Sequence, residues 1–517
     1  MNAKLIGIGV AALLSSHLTA SAKKKDKAPN VIFILADDLG YGDVSCCNEN
    51  SKIITPNIDR LASSGVRFTD AHTSSSVCSP TRYGILTGRY SWRSTMKEGV
   101  LSGYSKSLIK QEQTTVAGLL KSKGYTTAFI GKWHLGWDWD VIKADTDKPL
   151  DDLGARPEVN FASTIKNGPK SHGFDYSYGF CGSLDMPPYV WVENDQPTMV
   201  PNKLTGDKTL QQRWRRGVTA DDFVHEQVLA QSTQKAVKYI NEKANRVKPF
   251  FLYFPLSAPH TPILPTGEFR EKSGIESPYA DFVLMVDWVI GEITKTLKDQ
   301  GIEENTLLIF TSDNGCSPSA NFGQLAKKGH HPSYVFRGQK TEIFEGGHRV
   351  PFIVRWPQKI KPGVTAQLIC TTDLFATLAD VLGIKYEDDV APDSFSFLPA
   401  LNMKSKALVR ESVVDHAADG SFALTKGDWK VIFIPAPATK SNKNGNEKPP
   451  HFQLYNLKDD IGEKNNLQNK HPEIIAHYRQ LLTKYVKEGR STEGKPQKND
   501  GPEFWPQLNW MKSGEDH

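Results

Sequence analysis

The chain has 517 residues, 38% of them hydrophobic and 23% charged, with a formal net charge of +5. This is an ordinary globular composition, which excludes a disordered, collagenous or coiled-coil chain. So small a charge on such a length requires no nucleic-acid partner, although mildly basic clefts would suit an anionic substrate. The length predicts one large domain with a smaller one, and a core that needs no disulfide staples.

In chain order, residues 1–22 have the layout of a signal peptide. A short basic start ending at Lys4 precedes an apolar run over 5–14, and Ala20-Ser21-Ala22 offers small residues for cleavage. The run is too short to span a bilayer and no other stretch approaches a membrane span, so a periplasmic or secreted protein is expected. Lys23 would then begin a short solvated tail. Six cysteines follow, Cys46, Cys47, Cys78, Cys181, Cys316 and Cys370, with no Cys-x-x-Cys pair. In an exported protein they read as disulfides, but if Cys78 is kept for chemistry at least one other stays unpaired.

An unbroken apolar run over 31–35 predicts a strand buried on both faces. Helical patterning over 115–123 precedes a strand over 126–130. A helix over 222–245 leads to a strand over 250–256, and a helix over 279–299 to a strand over 306–311. A further strand over 350–356 precedes a helix over 373–382. This alternation predicts an α/β fold with a large, mostly parallel sheet sandwiched by helices.

Beyond residue 420 the character changes. Short alternating segments over 422–425, 429–434 and 452–456 flank a Pro/Lys/Asn-rich stretch over 435–450, and a helix over 472–487 follows. The expectation is a small C-terminal antiparallel sheet plus helix. The chain thus divides into a signal peptide (1–22), an α/β domain (23–419) and an α+β subdomain (420–517). Residues after 489 read as a polar surface tail.

Four of the apolar strands run into charged or imidazole residues. These are Asp37-Asp38, then Lys132 with His134, then His260, and finally Asp313-Asn314. Ligands of open α/β sheets bind outside the carboxyl ends of the strands, so these side chains are expected at one rim. Asp37, Asp38, Asp313 and Asn314 offer only oxygen, which suits Ca2+ or Mg2+ better than Zn2+. A lone Asp-Asp after a strand reads as a turn or cap; the second pair at a matching strand end favours a metal.

Taken alone, Cys78 reads as a small buried residue, Pro80 as a helix start and Arg82 as a snorkelling cation. Together, Cys78-Ser79-Pro80-Thr81-Arg82 and Leu86-Thr87-Gly88-Arg89 closely resemble the signature of the type I formylglycine-dependent sulfatases, a branch of the alkaline phosphatase superfamily. The resemblance covers roughly residues 30–382. It includes Arg337-Gly338-Gln339-Lys340 and Glu345-Gly346-Gly347-His348-Arg349-Val350-Pro351. More loosely it extends to Gly427-Asp428-Trp429-Lys430 and Leu454-Tyr455-Asn456-Leu457.

The resemblance implies an alkaline phosphatase-like fold and hydrolysis of a sulfate monoester. Cys78 would be oxidised to formylglycine (3-oxoalanine) by a sulfatase-maturating enzyme and hydrated to a geminal diol. Ca2+ would be held by Asp37, Asp38, Asp313 and Asn314 together with the modified Cys78. Arg82 would anchor the formylglycine oxygens, and Lys132 and Lys340 would grip the sulfate. His260, helped by Lys340, would protonate the leaving oxygen, His134 would take the proton that releases sulfate, and Asp313 would serve as base for the first attack. The loop over 182–191 resembles the family's substrate-facing insertions, with Tyr189 and Trp191 stacking on a sugar and Asp185 binding a hydroxyl. It reads equally as an aromatic strand packed on the core. His348 and the His330-His331 pair are rim candidates, set against a solvated loop. The implied substrate is a sulfated saccharide, cut from its end and of galactose configuration, with no nucleic-acid partner and the oligomeric state open. Two rivals remain. A phosphatase or phosphodiesterase would use Ser or Thr with additional zinc ligands. A calcium-stabilised sulfoglycan-binding protein would keep the Cys78 thiol.

Overall fold

The apolar run after Asn30 forms the strand Asn30–Asp37, in which every residue after the first is buried. That is what a strand paired on both sides and covered on both faces demands. It is hydrogen-bonded in parallel to Phe250–Pro259 on one side and to Thr306–Ser312 on the other. In this computed structural model, which describes residues 27–206, 210–403, 405, 407–435 and 452–511, the three strands lie within a ten-stranded sheet. The expected leader over 1–22 and nearly all of the 435–450 stretch fall outside the described residues. Thr126–Lys132 and Tyr176–Phe180 continue the parallel order beyond Phe250–Pro259. Phe352–Arg355 pairs antiparallel with Thr306–Ser312, so the sheet is parallel at its centre and mixed toward its edges.

Helices cover the sheet. Pro278–Asp299 starts at Ser277, whose hydroxyl accepts the Ala280 N–H, with proline in the first turn. It packs with Val228–Ala244 on Phe250–Pro259, while Cys78–Thr87, Val116–Ser122 and Leu374–Val381 pack on one another. The helix expected over 222–245 starts only at Val228. Phe223 and His225 are instead drawn into an aromatic cluster with Tyr189 and Trp191, whose burial outweighs another helical turn.

The C-terminal antiparallel sheet has four strands, Ser412–His416, Phe422–Lys426, Trp429–Phe433 and Phe452–Asn456. Its first strand therefore lies ahead of residue 420. The helix Pro472–Glu488 adds Tyr478, Leu482 and Val486 to the core of this sheet. The segment after residue 489 is no surface tail, because Trp505, Leu508 and Trp510 are buried in the same core. All six cysteines are free thiols. Among the described residues no helix is long and apolar enough to cross a membrane.

Candidate active site

Parallel register decides which side chains meet. Ala36 pairs with Ser312 and Asp37 with Pro259, so Asp37-Asp38, Asp313-Asn314 and His260 leave the sheet side by side. Lys132 closes the neighbouring strand. Gly131 before it has φ of 121°, and a Cβ there would stand 2.0 Å from the Pro255 carbonyl oxygen, so only glycine lets the two strands close up. Three non-glycine residues at the rim hold left-handed backbone: Asp38 (φ 66°), His134 (φ 55°) and Thr341 (φ 78°). Such strain persists only where surroundings enforce it. The Asp38 N–H donates to Asp313 Oδ1 at 3.1 Å and the Thr341 N–H to the Ser76 carbonyl at 2.9 Å.

Cys78 opens the helix Cys78–Thr87, all ten residues of which are buried. Its Sγ lies 3.7 Å from Asp37 Oδ1. Asp37, Asp38, Cys78 and His260 each bring one ligand atom within 4.8 Å of the others. One turn on, Arg82 donates from Nε and Nη2 to Asp313 Oδ2 at 3.0 and 2.8 Å, and from Nη1 to the Lys132 carbonyl at 2.8 Å. Lys132 Nζ is 2.7 Å from Asp37 Oδ2, and Lys340 Nζ is 2.8 Å from the Asp38 carboxylate.

These ion pairs set the ionisation of the site. Burial opposes a charged Asp37, yet Lys132, His260 and Arg82 hold its carboxyl well below the usual range. Burial and the adjacent Asp37 push Asp313 up to about 6. Burial pushes the Cys78 thiol up to about 12, so the unmodified side chain is a protonated, poor nucleophile near neutral pH.

A cation fits these residues. Asn314 Nδ2 donates to Asp38 Oδ1 at 2.7 Å and to the Gly315 carbonyl at 2.9 Å. That leaves Asn314 Oδ1 buried without a hydrogen-bond partner among the described residues. Three carboxylates and this amide oxygen form a hard donor set suited to Ca2+ or Mg2+.

The histidines differ in state. His134 Nε2 lies 2.9 Å from the Leu101 carbonyl, which can only accept, so Nε2 carries the hydrogen and Nδ1 has no partner among the described residues. Burial and the charge of Lys132 hold this imidazole well below its ordinary value, hence neutral. His260 Nε2 is 3.6 Å from Asp38 Oδ2 and 3.3 Å from Ser183 Oγ. Burial and Lys340 lower its value too, against the pull of Asp38. Asp185 pairs with Arg215, and its Oδ1 has no hydrogen-bond partner among the described residues.

Other candidates lie elsewhere. Tyr189 and Trp191 are 1% and 0% exposed. Trp191 stacks on Tyr178 at 4.6 Å, and the Tyr189 hydroxyl donates to the Arg215 carbonyl at 2.6 Å. Neither ring offers a sugar an open face, which corrects the stacking role in favour of core packing. His348 is also fully buried, beside His72 rather than at the rim. His330 is buried against Asp43, its Nε2 2.8 Å from Oδ1, and only His331 of that pair is exposed. Ser183 and Arg215 were not singled out from sequence. Ser183 sits inside the aromatic loop, and Arg215 in a basic run whose partner only folding supplies.

The fold and the rim together suit a class, the hydrolases that cut esters of oxyanions. The sulfatase family model matches residues 29–384. An N-acetylgalactosamine-6-O-sulfatase of Bacteroides thetaiotaomicron is 36% identical over 89% of this chain and 93% of its own. Arylsulfatase A of Homo sapiens is 32% identical, covering 88% of this chain and 87% of its own. A solved Bacteroides thetaiotaomicron structure, described under the metabolism of multiple glycosaminoglycans, superposes with a TM-score of 0.76 at 34% identity, over 89% of this chain and 99% of that one. The chain belongs to the sulfatase family and is a sulfuric ester hydrolase.

Proposed function

We propose that this sulfatase removes sulfate from a sulfated saccharide, using formylglycine made from Cys78 and Ca2+ held by Asp37, Asp38, Asp313 and Asn314. The observation that carries the reading is the seat of Cys78, at a buried helix N-terminus 3.7 Å from Asp37. A thiol is of little use there, whereas an oxygen nucleophile beside a cation would serve. Hydrated formylglycine would supply that hydroxyl, and calcium would neutralise charge on the sulfate and lower the hydroxyl's pKa.

The chain's own residues do the rest. Lys132 and Lys340 bind the sulfate oxygens from ammonium groups already fixed by Asp37 and Asp38. Arg82 holds Asp313 and the Lys132 backbone in register. His260 passes a proton from Nε2 to the leaving oxygen. Asp313 accepts the proton of the attacking hydroxyl, and His134 Nδ1 accepts the one lost as sulfate departs. Asp185, opposite Arg215, binds a hydroxyl of the sugar. The sulfated-glycan substrate and its galactose configuration rest on the 36% identical Bacteroides enzyme and its name; end-wise action rests on the family resemblance alone. Export through the leader over 1–22 and maturation by a formylglycine-generating enzyme complete the reading.

The test is the mass of the Cys78 peptide from a maturation-competent host, with turnover of a 6-sulfated galactosaminide. An aldehyde mass with turnover abolished in Cys78→Ala is expected. An intact thiol in active protein, or turnover retained by Cys78→Ala, would overturn the reading.

A further inference from the structure

A second cluster of metal-ligating side chains lies apart from the residues assigned to sulfate chemistry. His72 ends the strand Ala71–His72, His348 ends the turn Glu345–His348, and Asp415 lies on Ser412–His416 of the small sheet. All three side chains are fully buried. The two Nδ1 atoms are 2.9 Å apart. Asp415 Oδ1 lies 3.3 Å from His348 Nδ1 and 3.8 Å from His72 Nδ1.

Outer hydrogen bonds set both tautomers. His72 Nε2 is 3.0 Å from Asp70 Oδ1, and His348 Nε2 is 3.1 Å from the Ile343 carbonyl oxygen. Both partners only accept, so with the hydrogen on Nε2 each ring presents Nδ1 to the cluster. Lys430 Nζ lies 3.1 Å from His348 Nε2 and 3.0 and 2.9 Å from Glu345 and Glu463. Neither oxygen of Asp415 has a hydrogen-bond partner among the described residues. Two imidazole Nδ1 atoms and a buried carboxylate thus face one another within 4.8 Å, and a cation between them would satisfy all three.

We propose that His72 Nδ1, His348 Nδ1 and Asp415 Oδ1 bind a divalent transition metal of the zinc type at a structural site separate from the oxygen-only rim. Two imidazoles and a carboxylate suit zinc and not calcium. Tetrahedral ligands at about 2.0–2.1 Å from zinc stand about 3.3 Å from one another, and the observed separations of 2.9, 3.3 and 3.8 Å bracket that value. Outer bonds from metal-binding imidazoles to a carboxylate and a backbone carbonyl are what orient such ligands. The ion would tie the small sheet to the segment leading to Cys78, where Ser76 N and Ser75 Oγ already donate to the His416 carbonyl at 3.0 and 2.7 Å.

The experiment titrates full-length protein with Zn2+ by calorimetry, calcium in excess, followed by elemental analysis. One zinc per chain is expected in wild type and in Cys78→Ala, and none in Asp415→Asn. Asp70→Asn, which weakens the outer bond of His72, should bind about 10–100-fold more weakly. Co2+ bound to wild type should show the visible absorption of a tetrahedral N/O site, a readout that needs no variant to fold. Wild type that takes up no zinc, or Asp415→Asn that takes up as much, would overturn the proposal.

Discussion

At Arg82 a single guanidinium serves Asp313 twice and the Lys132 carbonyl once, entirely out of contact with water. No other side chain combines a permanent charge with donors in a fixed fork. Arg82→Met would leave Asp313 buried beside Asp37 without its main cation, at a cost of about 3–5 kcal/mol. Arg82→Lys should cost less, because the charge survives although the fork does not. Denaturant midpoints of both variants against wild type check the order, and an Arg82→Met protein as stable as wild type would contradict it. The same scale separates the two rim histidines. His134 spends Nε2 on Leu101 and leaves Nδ1 without a partner among the described residues, whereas His260 stands between Asp38 and Ser183.

The helix Cys78–Thr87 is too short to be stable alone and depends on burial and on its ends. Its C-cap is Gly88 with φ of 62°, whose N–H donates to the Gly84 carbonyl at 2.9 Å. A Cβ at Gly88 would lie 2.5 Å from that of Ala391. Gly88→Ala therefore meets about 1–2 kcal/mol for left-handed backbone and a packing penalty of about 1–3 kcal/mol. The urea midpoint should fall accordingly, and turnover with it, because Cys78 and Arg82 ride on the same helix. An unchanged midpoint would mean that the cap is not what holds this helix.

For the whole molecule, acid is the informative perturbation. Burial holds His172 at about 4 and His225 at about 3, against about 6.5 in an unfolded chain. Below about pH 6.5 the unfolded chain binds protons that the folded one refuses, so this stability is complete above that pH. It is lost progressively as pH falls through 4 and then 3, by at most about 1.4 kcal/mol per unit and histidine. His225 stacks on Trp214 at 4.2 Å, and a phenyl ring can take its place. Unfolding free energies at several pH values should fall more gently for His225→Phe than for wild type, and parallel curves would refute the assignment.

From sequence alone, the run before Asp37-Asp38, the alternation of strands with helices and the Cys78–Arg89 motif determined the fold class and the rim. Local patterning and parallel strand order suffice for that, since every parallel strand delivers its last residues to the same edge. Single sequence positions could not say which histidines and aromatics look into the rim. His348 meets His72 across 276 residues of chain, and Tyr189 and Trp191 are covered by Phe223 and His225 from a later loop. Burial and side-chain direction are properties of such distant contacts, so only the tertiary structure could separate the rim from the core and bring His72, His348 and Asp415 together.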